Sequence, residues 1–154
     1  MTMHTPTFSS PSDTDQLACS QAIAHFYALL DGLTPGSVGA MLASDGVWHR
    51  QGAVLRGAAE VDKALGQRPD GRISLHLVSN LRMEAVGDGQ IKARYLIQAY
   101  RHDRSPQEAQ DVPAPLPNGL LAVTSNEDLW TMEPANGWRL SHKASKVLFL
   151  HTDT

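Results

Sequence analysis

Three polar residues that lie close to apolar stretches are the first candidates for chemistry. Asp31 closes the first expected helix, and His76 and Asn80 lie in the mostly apolar stretch 72–100. A carboxylate at a helix C-terminus meets the negative end of the helix dipole, and an imidazole exchanges protons near neutral pH. Such a pair is suited to general acid–base chemistry. The structural alternatives are an exposed helix-end carboxylate and a core histidine bonded to a backbone carbonyl.

The direction of these side chains depends on the strand that carries them. Period-two alternation places His76 and Asn80 on one face of a strand, together with Ser74 and Val78. Both polar side chains could therefore point into one cavity. A β-bulge in so long a strand would exchange the residues that face inward.

Further candidates lie elsewhere in the chain. Asp128 is on a later expected strand, where it could be a polar anchor for a ligand. The structural alternative for Asp128 is an ion pair with Arg139 or Lys143 on the neighbouring strand. Among the aromatic residues, Tyr27 and Trp48 are expected to line a pocket.

The hydrophobic pattern predicts the helices that must position these residues. A first helix begins near Asp13 or Thr14, has one apolar stripe and ends at Gly32. The cap and proline at Thr34-Pro35 predict a second, shorter helix, and a third begins at Gly57. The stripe of the first helix comprises Cys19, Ile23, Phe26, Tyr27 and Leu30.

Strands dominate the rest of the chain. Short strands are expected at 47–50 and 53–55, a long hairpin over 72–100, and two further long strands at 120–132 and 138–150. The proline-rich segment 103–118 between them is expected to be a loop, either a lid or partner contact or a plain excursion.

This order of elements predicts an α+β fold. We expect a cone-shaped, curved, mixed or antiparallel sheet with three N-terminal helices packed on its concave face. Residues 1–14 are expected to be a flexible tail and residues 15–151 a single domain. The pocket of such a cone would hold a small apolar molecule.

Composition excludes several functional classes. The 154-residue chain has a net charge of −3 with no basic stripe, which argues against nucleic-acid binding. Its histidines lack metal-ligand spacing, so neither a metal nor another cofactor is predicted. No apolar run is long enough for a membrane helix. The single cysteine, Cys19, favours a cytoplasmic location.

Several fragments in a fixed order resemble a known family. YALLDG, LASDGVW, VLRGAAEVDKAL, HLVSN and DLW…NGWRLSHK, between about Gln16 and Phe149, resemble the SnoaL-like branch of the nuclear-transport-factor-two-like superfamily. The resemblance implies a cone-shaped α+β barrel with a pocket between sheet and helices, usually a homodimer through the sheet. Members include scytalone dehydratase, ketosteroid isomerase, polyketide cyclases and non-catalytic dioxygenase subunits, so the fold leaves the function open.

The resemblance also assigns expected roles. Asp31 and His76 match the Asp–His pair of the dehydratase-like members, and Asp128 best matches the late-strand acid of the cyclases. We therefore expect a cofactor-independent lyase or isomerase that acts on a small apolar carbonyl or hydroxy compound. The alternative is a non-catalytic ligand-binding or assembly module of the same fold.

The chain departs from the family pattern at two points. His49-Arg50 stands where ketosteroid isomerases keep an acidic base, which argues against that reaction. The second pocket histidine of the dehydratases has only His102 and His142 as candidates.

Overall fold

Two α-helices and six strands make up the part of the chain that the computed structural model describes, residues 9–116 and 120–152. The helices are α1 (Asp13–Leu30) and α2 (Gly57–Gly66). The strands are β1 (Leu42–Arg50), β2 (Ala53–Arg56), β3 (Arg72–Gly87), β4 (Gln90–Asp103), β5 (Ala122–Glu133) and β6 (Gly137–Leu150). None of the described helices is long and apolar enough to cross a membrane.

The six strands form one mixed sheet in the order β2-β1-β6-β5-β4-β3. β1 and β6 run parallel, and the other neighbouring strands are antiparallel. The register shifts within the β1–β6, β3–β4 and β5–β6 pairs, which bends the strands locally. The predicted α+β class with a mixed sheet is therefore confirmed.

Helix α1 begins with a side-chain cap and lies on the sheet through its apolar stripe. Ser12 accepts a hydrogen bond from the backbone N–H of Asp15 at 3.1 Å, so the helix begins at Asp13, as predicted. This start lies inside the range 1–14 predicted as a tail, and residues 1–8 of that range lie outside the described residues. All five predicted stripe residues, Cys19, Ile23, Phe26, Tyr27 and Leu30, are buried.

The prediction of three helices was wrong, because the second is only a 3-10 turn, Gly39–Met41. Gly36 has φ 138°, outside the helical region, and interrupts the segment directly after the proline. The turn is instead held by α2: the Asp62 carboxylate accepts from the Ser37 hydroxyl at 2.6 Å and from the Gly39 N–H at 2.9 Å. The next residues, which were expected to end a helix, begin strand β1.

A β-bulge divides the long hairpin of β3 and β4. The pairing shifts between Ser79 and Arg82, and Asn80 has φ 53°. Before the bulge, Ser74, His76 and Val78 are half-buried, while the alternate residues are exposed. The bulge thus ends the alternation immediately after the residues that face α1.

The proline-rich loop after β4 contains no regular strand in its described part, residues 104–116, as predicted. Its shape is set by side chains that bond its own backbone. The Arg104 guanidinium donates to the carbonyls of Ala109 and Val112, and Glu108 accepts from the Ser105 N–H and from His102. Residues 117 and 118 of the predicted loop lie outside the described residues.

Candidate active site

A cavity of about 580 Å³ lies between α1 and the inner face of the sheet. Leu30, Trp48 and Ile97 supply apolar wall, while His76 and Lys143 bring polar groups. A volume in this range is typical of small-molecule sites, which combine apolar walls with a few convergent polar groups.

The end of α1 brings Asp31 and His76 together at this cavity. The Asp31 Oδ1 atom lies 2.6 Å from His76 Nδ1 and accepts from the Ser74 hydroxyl at 2.8 Å. Its Oδ2 atom accepts from the His76 backbone N–H at 2.8 Å. Three donors from one strand therefore hold the carboxylate, which fixes both its position and the orientation of the imidazole.

The side chains of Asp31 and His76 differ in how deeply they are buried. The Asp31 side chain is 1% exposed and does not line the cavity, whereas the His76 side chain is 21% exposed and does. Because a carboxylate can only accept a hydrogen bond, the Nδ1–H group of His76 donates to Asp31. In a neutral ring, Nε2 is then the nitrogen without a proton. The geometry therefore puts His76 at the wall of the cavity and Asp31 behind it, bonded to the ring.

Arg68, just beyond α2, supports the pair from the other side. Its guanidinium donates to the Leu30 carbonyl at 2.8 Å and to the Ser74 hydroxyl at 2.9 Å. The Leu30 carbonyl belongs to the negative end of the α1 dipole, where a cation is favourable. Arg68 thus ties the helix end and Ser74 together without touching the carboxylate.

A second polar network lies at the buried end of the cavity and centres on Lys143. Its ammonium donates to the hydroxyls of Tyr27 and Tyr95 at 2.8 and 2.6 Å and to Asp128 Oδ1 at 3.0 Å. Asp128 Oδ2 accepts from the Tyr95 hydroxyl at 2.6 Å and from the Trp130 indole at 3.2 Å. All three ammonium protons are used, so this ion pair is fully satisfied.

Burial and charge act together on the titration of this network. Burial lowers the pKa of Lys143, but the attraction of Asp128 and the hydrogen bonds outweigh it, so the pKa is raised overall. Burial raises the pKa of Tyr27, against the opposing charge of Lys143. Burial and the charge of Asp128 raise the pKa of Tyr95 well above its usual value. At neutral pH the network therefore contains a lysine cation and two neutral phenols.

Only some of the site residues predicted from sequence line the cavity. Tyr27 and Trp48 line the cavity. Asp128 is 1% exposed and lies beneath the cavity, paired with Lys143 as in the structural alternative. Asn80 is exposed and outside the cavity, because the bulge takes it out of the alternation that His76 follows.

Neither candidate for a second pocket histidine reaches the cavity. His102 Nε2 lies 2.7 Å from Glu108 in the proline-rich loop, and the His142 ring lies 4.9 Å from the ring of His49. Within residues 9–116 and 120–152, no cluster of His, Cys, Asp and Glu side chains could hold a metal ion.

Sequence reasoning missed the cavity's cationic residues. Lys143 and Arg68 were not expected to contact the site, nor were Arg50, Arg72 and Arg101, all of which line the cavity. The cross-strand pairing of Asp128 with Lys143 was the one available signal, and it indicated only an ion pair.

The sequence profile of the SnoaL-like domain family matches residues 12–144. The chain therefore belongs to this family, within the nuclear-transport-factor-two-like superfamily. No curated protein sequence matches the chain significantly.

Solved structures of similar fold have low sequence identity. An NTF2-like protein with a cystatin-like fold from Novosphingobium aromaticivorans is 19% identical, with a TM-score of 0.66 over 88% of this chain and 82% of the other. A protein from Catenulispora acidiphila in complex with S-DNPA is 12% identical, with a TM-score of 0.66 over 86% and 92%. A type 2 hexachlorocyclohexane dehydrochlorinase, LinA, is 14% identical, with a TM-score of 0.66 over 91% and 92%. These identities establish a shared fold.

The buried ion pair gives a stability prediction. Lys143→Met removes the cation and leaves the Asp128 carboxylate buried and unpaired, so we expect the free energy of unfolding to fall by about 3–5 kcal/mol. Arg94→Gln, which breaks an exposed pair with Glu127, is the matched control and should cost less than about 1 kcal/mol. Urea unfolding measures both. A Lys143→Met variant as stable as the control would contradict the charged state assigned to the network.

Proposed function

We propose that the protein is a cofactor-independent lyase or isomerase that acts on a small, mostly apolar carbonyl or hydroxy compound. The observation that carries the proposal is the 2.6 Å contact between Asp31 and His76, with the histidine lining a cavity of about 580 Å³. A general base must face its substrate and be held in one tautomer, and the lining position of His76 and its contact with Asp31 support both conditions.

In the proposed reaction, His76 Nε2 takes a proton from a carbon beside the substrate's carbonyl group. The electron pair of the broken C–H bond forms an enolate, which in a β-hydroxy compound collapses to a C=C bond as the hydroxyl group departs. His76 then returns the proton, either to another carbon or to the departing oxygen, which leaves as water. Asp31 stabilises the imidazolium while the proton is on the ring.

The other cavity residues would hold the substrate. Trp48 offers an apolar wall, and Tyr27 and Lys143 form a polar end whose positive charge would attract a carbonyl oxygen, since the Lys143 protons are already bonded. Asp128 would not contact the substrate. It would keep Lys143 charged and would orient the Tyr95 hydroxyl.

Proteins of the same fold support a small-molecule role. The protein from Catenulispora acidiphila was solved with S-DNPA bound, and the LinA enzyme is a dehydrochlorinase, which is a lyase. A proton abstraction followed by departure of a leaving group is the step that such a reaction shares with the one proposed here.

One observation favours the alternative of a non-catalytic ligand-binding or assembly module. His102 and His142 both have other partners, so neither is placed to protonate a leaving group beside His76. Against this alternative, the cavity keeps an oriented imidazole and a buried cation, which a purely apolar ligand would not need.

The proposal is tested by proton exchange at carbon. The purified protein is incubated in D2O with 1-tetralone, 2-tetralone and 3-hydroxy-1-tetralone, and mass spectrometry follows deuterium incorporation and loss of water. We expect acceleration over buffer for at least one compound. His76→Gln should lower the rate by about 10²–10⁴-fold, because it removes the base, and Asp31→Asn by at least about tenfold.

Ser79→Ala is the matched control, because Ser79 lies on the same strand but is exposed. Its rate should equal that of the unmodified protein. Two results would contradict the proposal: no acceleration with any of the compounds, or acceleration that survives His76→Gln. If the compounds bind without exchange, the non-catalytic alternative is favoured.

We also propose that residues 15–151 form a single domain that pairs through the sheet as a homodimer. Ile73, Leu75 and Leu77 on the outward face of β3 are 39–43% exposed, an apolar row typical of interfaces. Leu77→Glu should give a monomer in sedimentation equilibrium, whereas Leu33→Glu, in the loop after α1, should not change the mass. A monomeric unmodified protein would contradict this.

The cytoplasmic location stays a prediction from the cysteine content.

A further inference from the structure

The charged residues around the cavity are all of one sign. Among the residues that the structure describes, five cationic side chains line it, and no aspartate or glutamate does. They are Arg50, Arg68, Arg72, Arg101 and Lys143. The whole chain has 13 lysines and arginines against 16 acidic residues and a net charge of −3, so this concentration is local.

Nearby carboxylates balance only part of this charge. Lys143 is paired with Asp128 at 3.0 Å, and Arg72 forms a two-bond pair with Asp103 at 2.7 Å. Arg68 shares the Ser74 hydroxyl with Asp31. Among the described residues, three nearby carboxylates therefore offset three of the five positive charges, and the charges of two cations are not offset.

The surplus lies on Arg50 and Arg101. Neither forms an ion pair with any residue in the described ranges 9–116 and 120–152. The Arg50 guanidinium lies over the Trp48 ring, 5.6 Å from its centre, where a cation–π contact is favourable. Burial and the neighbouring charges of Arg68 and Arg72 lower the pKa of Arg50.

Exposure places these two arginines at the outer end of the cavity. Arg101 is exposed and Arg50 half-buried, whereas Lys143 at the other end is 3% exposed. The strand register relates this end to the proposed base: Arg101 pairs with Ser74, two residues before His76. That offset is on the order of 7 Å along the strand.

We propose that this site binds a ligand with an anionic acid group, a carboxylate, sulfate or phosphate, held by Arg50 and Arg101. The apolar part of the ligand then lies against Trp48 and Ile97, with its reactive carbon at His76. Guanidinium groups suit this role, because their forked N–H donors match the oxygens of such acids. A cavity with surplus positive charge also concentrates anions from solution in a protein that repels them overall. This inference rests on the proposed function for the position of the reactive carbon.

The experiment compares two probes of the same ring system by isothermal titration calorimetry. One is 2-naphthoate, which is anionic, and the other is 2-naphthamide, which is neutral. Neither has a hydroxyl leaving group or a C–H bond on the carbon beside its carbonyl, so binding is measured without turnover. We expect the unmodified protein to bind 2-naphthoate at least about tenfold more tightly, with an advantage that falls as salt is raised.

Variants assign the preference to its residues. Arg50→Gln and Arg101→Gln should each weaken 2-naphthoate binding with little effect on 2-naphthamide, and the double variant should bind both alike. Arg82→Gln is the matched control, since Arg82 is exposed and outside the cavity. If Arg50→Gln disturbs Trp48, the Arg101→Gln variant still tests the inference. The affinity for 2-naphthyl phosphate, compared with that for 2-naphthoate, shows whether the site prefers a phosphate or a carboxylate.

Three results would overturn the inference: equal affinity for the two probes, no binding of either at millimolar concentration, or a preference that persists in the double variant. Its failure is distinguishable from failure of the proposed function. If charge preference is absent while deuterium exchange still depends on His76, only the anion site is wrong. If the preference is present but no exchange occurs, the anion site stands and the lyase or isomerase proposal falls.

Discussion

The carboxylate of Asp31 joins the last turn of α1 to strand β3, and the candidate site depends on that junction. It accepts from two side chains and one backbone N–H of a single strand while being 1% exposed. Hydrogen bonds to a buried charge are among the stronger ones in proteins, and an unpaired buried charge is costly. The junction therefore fixes where the helix ends on the sheet, and with it the direction of the His76 ring.

The cavity is polar at both ends and apolar between them. At the inner end, Lys143 has all its protons committed and its charge matched by Asp128. At the outer end, Arg50 and Arg101 have no such match within the described part of the chain. A satisfied charge contributes to stability and orientation, whereas an unsatisfied one is available to a ligand. The cation of Lys143 thus serves the fold, while Arg50 and Arg101 are the cations proposed to bind a ligand.

Local periodicity carried most of what the sequence could predict. The stripe of α1 and the two arms of the hairpin follow from spacings of 3.6 and 2 residues, and the structure has both. The second helix was mispredicted, because Pro35 resembles a helix start while Gly36 adopts a backbone angle no helix uses. Asn80 was misplaced because the position of a bulge depends on the pairing of two strands, which one strand's sequence does not encode.

The cationic lining was beyond sequence reasoning for a different reason. Arg50, Arg68 and Arg101 come from β1, the loop after α2 and β4, and they meet only after the sheet has formed. In the sequence none of these arginines belongs to a run of basic residues, so the local sequence does not indicate a cationic site. Asp31 and His76 are 45 residues apart, and their association was expected only through resemblance to a family.

The proposed function requires Asp31 to hold His76 in the tautomer whose unprotonated nitrogen, Nε2, is available to a substrate in the cavity. Long-range ¹H–¹⁵N NMR of imidazole-labelled protein at a pH where the ring is neutral reads that tautomer directly, and Asp31→Asn assigns the signal. The account predicts His76 with a protonated Nδ1 and an unprotonated Nε2, a state lost in Asp31→Asn. A ring that carries its proton on Nε2, or that exchanges freely between both forms, would contradict it.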